Sequence, residues 1–187
     1  MNEDIERKLT RQKIKNFCNN RKNFIVTTRF NNITYHENSM YRTKNTKTKC
    51  IYCAPEPVTK KIPYDSVLFV IEMNNDINKI MGVGLVRNHP RLNKPNVYEN
   101  KSYGRYTYVG TMRIDRSVMN DEEEELMELL DLLCFKGNKH MKRGQGLRSF
   151  PTEILYELNN QDNVDVHQLV SEMFKNRIKK NKQIHKE

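Results

Sequence analysis

Between Ser66 and Met73 the chain reads SVLFVIEM, a near-continuous apolar run. A run of that kind is what a strand buried on both faces requires, and it commits the chain to a packed sheet. Asn74-Asn75-Asp76 supplies turn chemistry, and Ile80 to Val86, IMGVGLV, reads as a second strand, so a hairpin or meander is expected. Gly82 and Gly84 point the same way on that second strand. Glycine weakens a strand, so either something approaches its backbone closely there or the sheet bends sharply. NFIVTTRF at 23–30 is β-branched and aromatic and reads as a strand, as does RYTYVGTMRID at 105–115, with Gly110 as a bulge.

Helices flank these strands. Residues 3–19 read as a basic amphipathic helix with Ile5, Leu9, Ile14 and Phe17 near one face. DEEEELMELLDLLCF at 121–135 is the clearest helix: Ser117 or Asn120 can cap it, its acids favour the positive end of the dipole, and Gly137 can end it. A short helix is expected at 151–158 and an amphipathic one at 164–180, followed by a frayed basic arm. Residues 31–49 carry little apolar signal and 41–49 read as a basic, Thr-rich loop. Cys50 to Cys53 resembles a short strand, and 87–104 a long polar loop with Pro90 and Pro95. The expected fold class is α+β: a small curved mixed sheet or partly open barrel with flanking N- and C-terminal helices. The division expected is 1–22 basic helix, 23–160 core, and 161–187 C-terminal helix and arm.

The 187 residues carry 33 Lys and Arg against 23 Asp and Glu, a net charge of +10. No run approaches the ~20 apolar residues of a membrane span, and nothing at the N-terminus resembles a secretory signal. Four scattered cysteines, Cys18, Cys50, Cys53 and Cys134, read as reduced thiols of an intracellular protein. Asn occurs 23 times, a bias that A/T-rich codons would produce. The lysine total is therefore less informative than where the cations sit, and the charge points to a polyanionic partner rather than a membrane.

Two segments concentrate candidate binding groups. In KGNKHMKRGQGLRSFP, Lys136, Lys139, His140, Lys142, Arg143 and Arg148 occur with no acid. Gly144 and Gly146 would let backbone N–H groups turn toward an anion, and Arg143 could grip a phosphate bidentately while Lys142 acts as a point charge. The bland alternative is a solvated turn balancing the acids before it. In Tyr103-Gly-Arg105-Tyr106-Thr-Tyr108, the rings could stack on unpaired bases. The alternative is that strand tyrosines pack on the core with a wet hydroxyl.

Other patterns fall away. Cys50-x-x-Cys53 is half of a zinc site, but no second short pair completes it, and inert thiols are the preferred reading. Consecutive acids at 121–125 do not face one point, so dipole compensation explains them better than a metal. No Walker loop, H-E-x-x-H, G-x-S-x-G or dinucleotide fingerprint occurs, and no cofactor is expected.

The segment from Ile62 to Asn88, IPYDSVLFVIEMNNDINKIMGVGLVRN, resembles the core of PUA-like domains, the superfamily that includes the ASCH, EVE and YTH groups. The resemblance covers about 30 residues and implies a small curved barrel with nucleic acid along its basic side. Trp is absent, which argues against a YTH-like aromatic cage. RYTYVGTMRIDRSVM, the acidic helix and HMKRGQGL are together similar to uncharacterised proteins of large nucleocytoplasmic DNA viruses. That resemblance implies host cytoplasm, virus factory or virion as the setting.

The leading expectation is a nucleic-acid-binding protein engaging RNA or single-stranded DNA, a binder rather than an enzyme. Phosphates would meet Lys8, Arg11 and Lys15, the 142–148 loop, and Lys179, Lys180 and Lys182, while tyrosines 103–108 stack. One alternative is a nuclease using His140, Glu72 and Lys142 with Arg143 on the phosphate. Another is a structural protein that packages a genome. The sequence leaves RNA versus DNA, base specificity and oligomeric state open.

Overall fold

The computed structural model describes residues 3–19, 21–92, 95–138 and 140–184. Its centre is the apolar hairpin. Strands β3 (Val67–Asn74) and β4 (Lys79–Arg87) pair antiparallel, and β1 (Asn23–Phe30) lies parallel to β3 with Val26 opposite Val70. Two short strands close the edges, β6 (Met112–Asp115) beside β4 and β7 (Arg148–Ser149) beside β1, giving the order β6-β4-β3-β1-β7. A separate antiparallel ribbon joins β2 (Cys50–Ala54) to β5 (Tyr106–Gly110). The class is α+β, and among the described residues neither sheet closes into a barrel.

Alternation on the central strands divides the core in two. Ile25, Phe69 and Ile71 face one side, where they meet α3 (Asp121–Phe135), α4 (Thr152–Gln161) and α5 (Val166–Ile184) through Leu130, Leu155 and Phe174. Val26, Leu68 and Val70 face the other, where they meet Tyr52 and Tyr108 of the β2–β5 ribbon. Both faces of β3 are thus covered, which is why its sequence is apolar throughout.

Gly82 and Gly84 lie on the ribbon side, and the close approach expected there comes from the chain itself. A Cβ on Gly84 would overlap the Tyr52 hydroxyl, and one on Gly82 would sit 2.9 Å from Arg113 Nη2. The Tyr52 hydroxyl and the Arg113 guanidinium can approach β4 this closely only because that strand has no side chains there.

Three expectations need correction. Residues 105–115 are not one bulged strand: the chain leaves the ribbon at Gly110 and enters the main sheet at Met112, with Gly110 pressed against Leu85 O and Cys50 Sγ. Residues 41–44 are not loop but the last turn of helix α2 (Asn32–Lys44), which fills most of the stretch with little apolar signal and is opened by a reciprocal capping box between Asn31 and Thr34. Its buried residue is polar: Asn38 donates to Ile51 O at 2.7 Å and to Tyr98 Oη at 2.9 Å. The basic arm expected to fray beyond the C-terminal helix is itself helical as far as Ile184, in an α5 that Arg177 ties to Glu123 at 2.6 Å. Residues 185–187 lie outside the described residues.

Helix α1 (Glu3–Asn19) docks through its last turns. Phe17 meets the Tyr156 ring edge-on, and Arg21 lies over Phe17 while pairing with Asp165 at 2.8 Å. Residues 4–13 are exposed, Ile5 and Leu9 included. Helix α3 is capped as expected, by Asn120 with Glu123. Its acids also fix arginines, with Arg116 bridging Glu124 and Asp131 at 2.7 Å each.

Candidate functional site

Strands β1 and β3 run parallel, so both end at the same edge of the sheet, and there the chain builds a cleft of about 320 Å³. Crevices outside the carboxyl ends of parallel strands are recurrent ligand sites, because the connections diverge there. β1 contributes Thr28, Arg29 and Phe30 before Asn31 starts α2, and β3 continues into Asn75 and Asp76. A polar lattice fixes these two exits to each other. Asn75 N–H donates to Phe30 O at 2.8 Å, Asn32 N–H donates to Asp76 Oδ2 at 2.9 Å, and Asn74 Nδ2 donates to Asn32 Oδ1 at 2.9 Å.

The lining includes two aromatic rings and a glycine-containing loop. Tyr98 and Tyr103 stand edge to face with centroids 6.2 Å apart, and the Tyr98 hydroxyl is fixed by Asn38. Burial raises the pKa of that hydroxyl. Gly144, Gln145 and Gly146 line the same cleft. Gly144 has φ 106° and Gly146 φ 66°, both in the range that favours glycine. A Cβ on Gly146 would also sit 2.8 Å from Ala54 Cβ, so the loop lies tight on the end of β2. A second cavity of about 230 Å³ shares Cys53 and Tyr98 with the cleft and is bordered by Lys101 and Gly104.

Of the residues singled out in the sequence, Tyr103, Gly144 and Gly146 meet in this cleft, although about 40 residues separate them. Arg143 adjoins it in the chain, exposed and without an ion pair among the described residues. Lys142 is tied down: its Nζ donates to Asn78 Oδ1 at 2.7 Å and its carbonyl accepts from Asn75 Nδ2 at 3.0 Å. Arg148 is exposed on β7, 3.8 Å from Glu56. Arg105 is exposed over the Tyr106 ring at 5.7 Å, and Tyr106 is half-buried against the ribbon-side core. Tyr108 is fully enclosed and its hydroxyl accepts from Val58 N–H at 3.0 Å, so this ring cannot stack on a base. His140 is half-buried with Nδ1 unpartnered, and Lys139 lies outside the described residues. The α1 and α5 lysines do not line the cleft.

Arg29 was not legible as a site residue, being one charge inside the strand-like NFIVTTRF. Its Nε donates to Met141 O at 2.6 Å, its Nη1 is buried without a partner, and no carboxylate pairs with it among the described residues. Burial pushes its pKa below the ordinary guanidinium value, and Arg148 adds to the push. Most other buried or half-buried arginines are spent: Arg113 on Glu72 and Asp115, Arg116 on Glu124 and Asp131, Arg177 on Glu123, and Arg21 on Asp165.

Glu72 is not an available acid or base. It is 1% exposed and accepts from Tyr52 Oη at 2.7 Å and from Arg113 Nη2 at 2.7 Å. Burial opposes the charge on Arg113, but Glu72 outweighs it and the guanidinium pKa ends up raised. The cysteine pair does not converge either. Cys50 faces the ribbon-side core and Cys53 the opposite face of β2, and burial pushes their thiols up to about 12 and about 11. Among the described residues no three His, Cys, Asp or Glu side chains are grouped to hold a metal ion, and no helix is long and apolar enough to cross a membrane.

No family model matches this chain, and neither a curated protein nor a solved structure matches it.

Proposed function

We propose that this protein binds single-stranded nucleic acid, RNA or DNA, with one base against Tyr103 in the cleft and neighbouring phosphates on the cations around it. One observation carries the reading. The aromatic segment and the glycine-rich basic loop, each expected separately to touch nucleic acid, line the same cleft. Arg29 is the cation in its lining, and the exposed Arg143 and Arg105 flank the segments that form it. An aromatic wall with amides and hydroxyls beside it suits a base, whose π-face stacks while its edge takes hydrogen bonds. The volume of about 320 Å³ leaves room for one nucleotide rather than a duplex.

The same reading places the core among PUA-like folds in an opened form, supported by the β3–β4 hairpin and the ribbon across its glycine face. An intracellular setting goes with it, in host cytoplasm, virus factory or virion, supported by four free thiols. The nuclease alternative loses support because Glu72 is enclosed and saturated with donors.

The test is an anisotropy titration of labelled oligo(U), oligo(dT) and a duplex between 50 and 200 mM salt. Single strands are expected to bind more tightly than duplex. With a slope of about −0.7 per phosphate, six contacts would reduce affinity roughly 300-fold across that range. No binding at low salt, or an affinity indifferent to salt, overturns the proposal.

A further inference from the structure

The cleft holds hydrogen-bond donors that the chain itself leaves unused. Arg29 Nη1 is buried with nothing to donate to, on a guanidinium that has no carboxylate partner among the described residues. In the same lining, the N–H groups of Gly144, Gln145 and Gly146 donate to no described residue. Successive free N–H groups in a turn with positive φ form a concave donor surface for an anion. A buried charged donor without an acceptor costs stability, and that cost falls on Arg29 Nη1, whereas exposed Gly144 and Gln145 and half-buried Gly146 hold their amides open to solvent or to an anion.

We infer that Arg29 and the backbone N–H groups of Gly144, Gln145 and Gly146 form a seat for one phosphate group of a nucleotide. The inference rests on the reading of the cleft as a nucleotide site and adds which atoms hold the charge. A phosphate suits the donor set because its oxygens can accept from a planar fork on one side and from amides on the other. The seat lies toward the glycine loop. Asp76 also lines the cleft and would repel an anion at the α2 side, where its Oδ2 already occupies the Asn32 N–H. The phosphate could belong to a free nucleoside monophosphate, to a strand terminus or to an internal diester.

The experiment follows backbone amides of the full, ¹⁵N-labelled chain. Uridine 5′-monophosphate, inorganic phosphate and uridine are titrated separately. The two phosphates are expected to move the amides of Gly144, Gln145 and Gly146 downfield, and uridine to leave them in place. Arg29→Lys, which keeps the charge and loses the fork, is expected to weaken monophosphate binding about tenfold and to leave uridine unaffected. Amides that stay still at saturation, or Arg29→Lys binding the monophosphate as the parent does, overturn the seat. Oligo(U) with a 5′-phosphate, a 3′-phosphate or neither distinguishes the source. Tighter binding of one phosphorylated end assigns the seat to a terminus, and equal binding with the same amide shifts assigns it to a diester. If oligonucleotides bind with salt dependence while the loop amides are silent, the seat fails and the single-strand reading stands. If the monophosphate moves the amides but no oligonucleotide binds, the reading fails and the seat stands.

Discussion

The hydroxyl of Tyr52 fills the space that a Cβ on Gly84 would take, and from there it donates to Glu72 Oε1 at 2.7 Å. Three elements meet at that point: the ribbon supplies the ring, β4 the gap and β3 the acceptor. Glu72 sits where the β3–β4 register shifts between Ile71 and Met73, so the carboxylate is presented at an irregularity of the ladder.

Gly84→Ala is therefore expected to cost about 3 kcal/mol, at the upper end for overpacking, because the hydroxyl is held by a buried acceptor and cannot yield. Urea unfolding reads this as a lower midpoint. Combining it with Tyr52→Phe, which removes the colliding atom, should give a loss smaller than the sum of the two single changes. A strictly additive pair would show that the two residues do not constrain one another.

Glu72→Gln leaves the Arg113 guanidinium, 5% exposed, with only the half-exposed Asp115 as a carboxylate partner. Breaking a buried ion pair from one side typically costs about 3–5 kcal/mol. Replacing both partners together by Glu72→Leu and Arg113→Met should recover much of that loss in the same measurement. A double variant as unstable as Glu72→Gln would contradict this account.

Tyr103 and Tyr108 should separate binding from folding. Tyr103→Ala is expected to weaken single-strand binding by about 1–3 kcal/mol with little change in the unfolding midpoint. Tyr108→Phe removes the acceptor of the Val58 N–H and should lower stability by about 1 kcal/mol while binding is unchanged. Anisotropy and urea titrations on both variants check the pair, and the reverse pattern would refute it.

His167 makes stability depend on acid. Burial, with Arg21 adding to it and Asp165 opposing, pushes its pKa from 6.5 down to about 4. Between those values the unfolded chain binds a proton that the folded one does not, so stability falls as pH drops through that window. The full effect is on the order of 3 kcal/mol, complete below about pH 4. His167→Gln should flatten the stability profile between pH 6.5 and 4. Asp165 and Glu123, both held below the usual carboxylate range, add a separate loss at lower pH as they protonate.

Strands β3 and β4 were legible because burial on both faces leaves an apolar run, and β1 because its residues are β-branched and aromatic. Helix α2 was not, because its anchor is Asn38, an amide bonded to Ile51 O and the Tyr98 hydroxyl, and apolar periodicity does not register such a helix. The glycines of β4 correctly signalled a close approach, but residue type alone could not identify the visitors as Tyr52 and Arg113. Of the candidate site, Tyr103, Gly144 and Gly146 could be named from composition and turn chemistry. Arg29 and Asp76 could not, since they reach the cleft through the parallel pairing of β1 with β3 and the polar lattice at their ends, and neither could Tyr98, which a hydrogen bond from Asn38 of α2 holds there.

The edge strand β7 sets Arg148 opposite Thr27 and Ser149 opposite Val26. During synthesis, β1 leaves the ribosome more than a hundred residues before the segment that closes its free edge and brings the glycine loop against it. A nascent chain therefore exposes an uncovered strand edge while those residues are made, a stretch in which a holding chaperone would find its target. It acquires the cleft only once the glycine loop and β7 have followed.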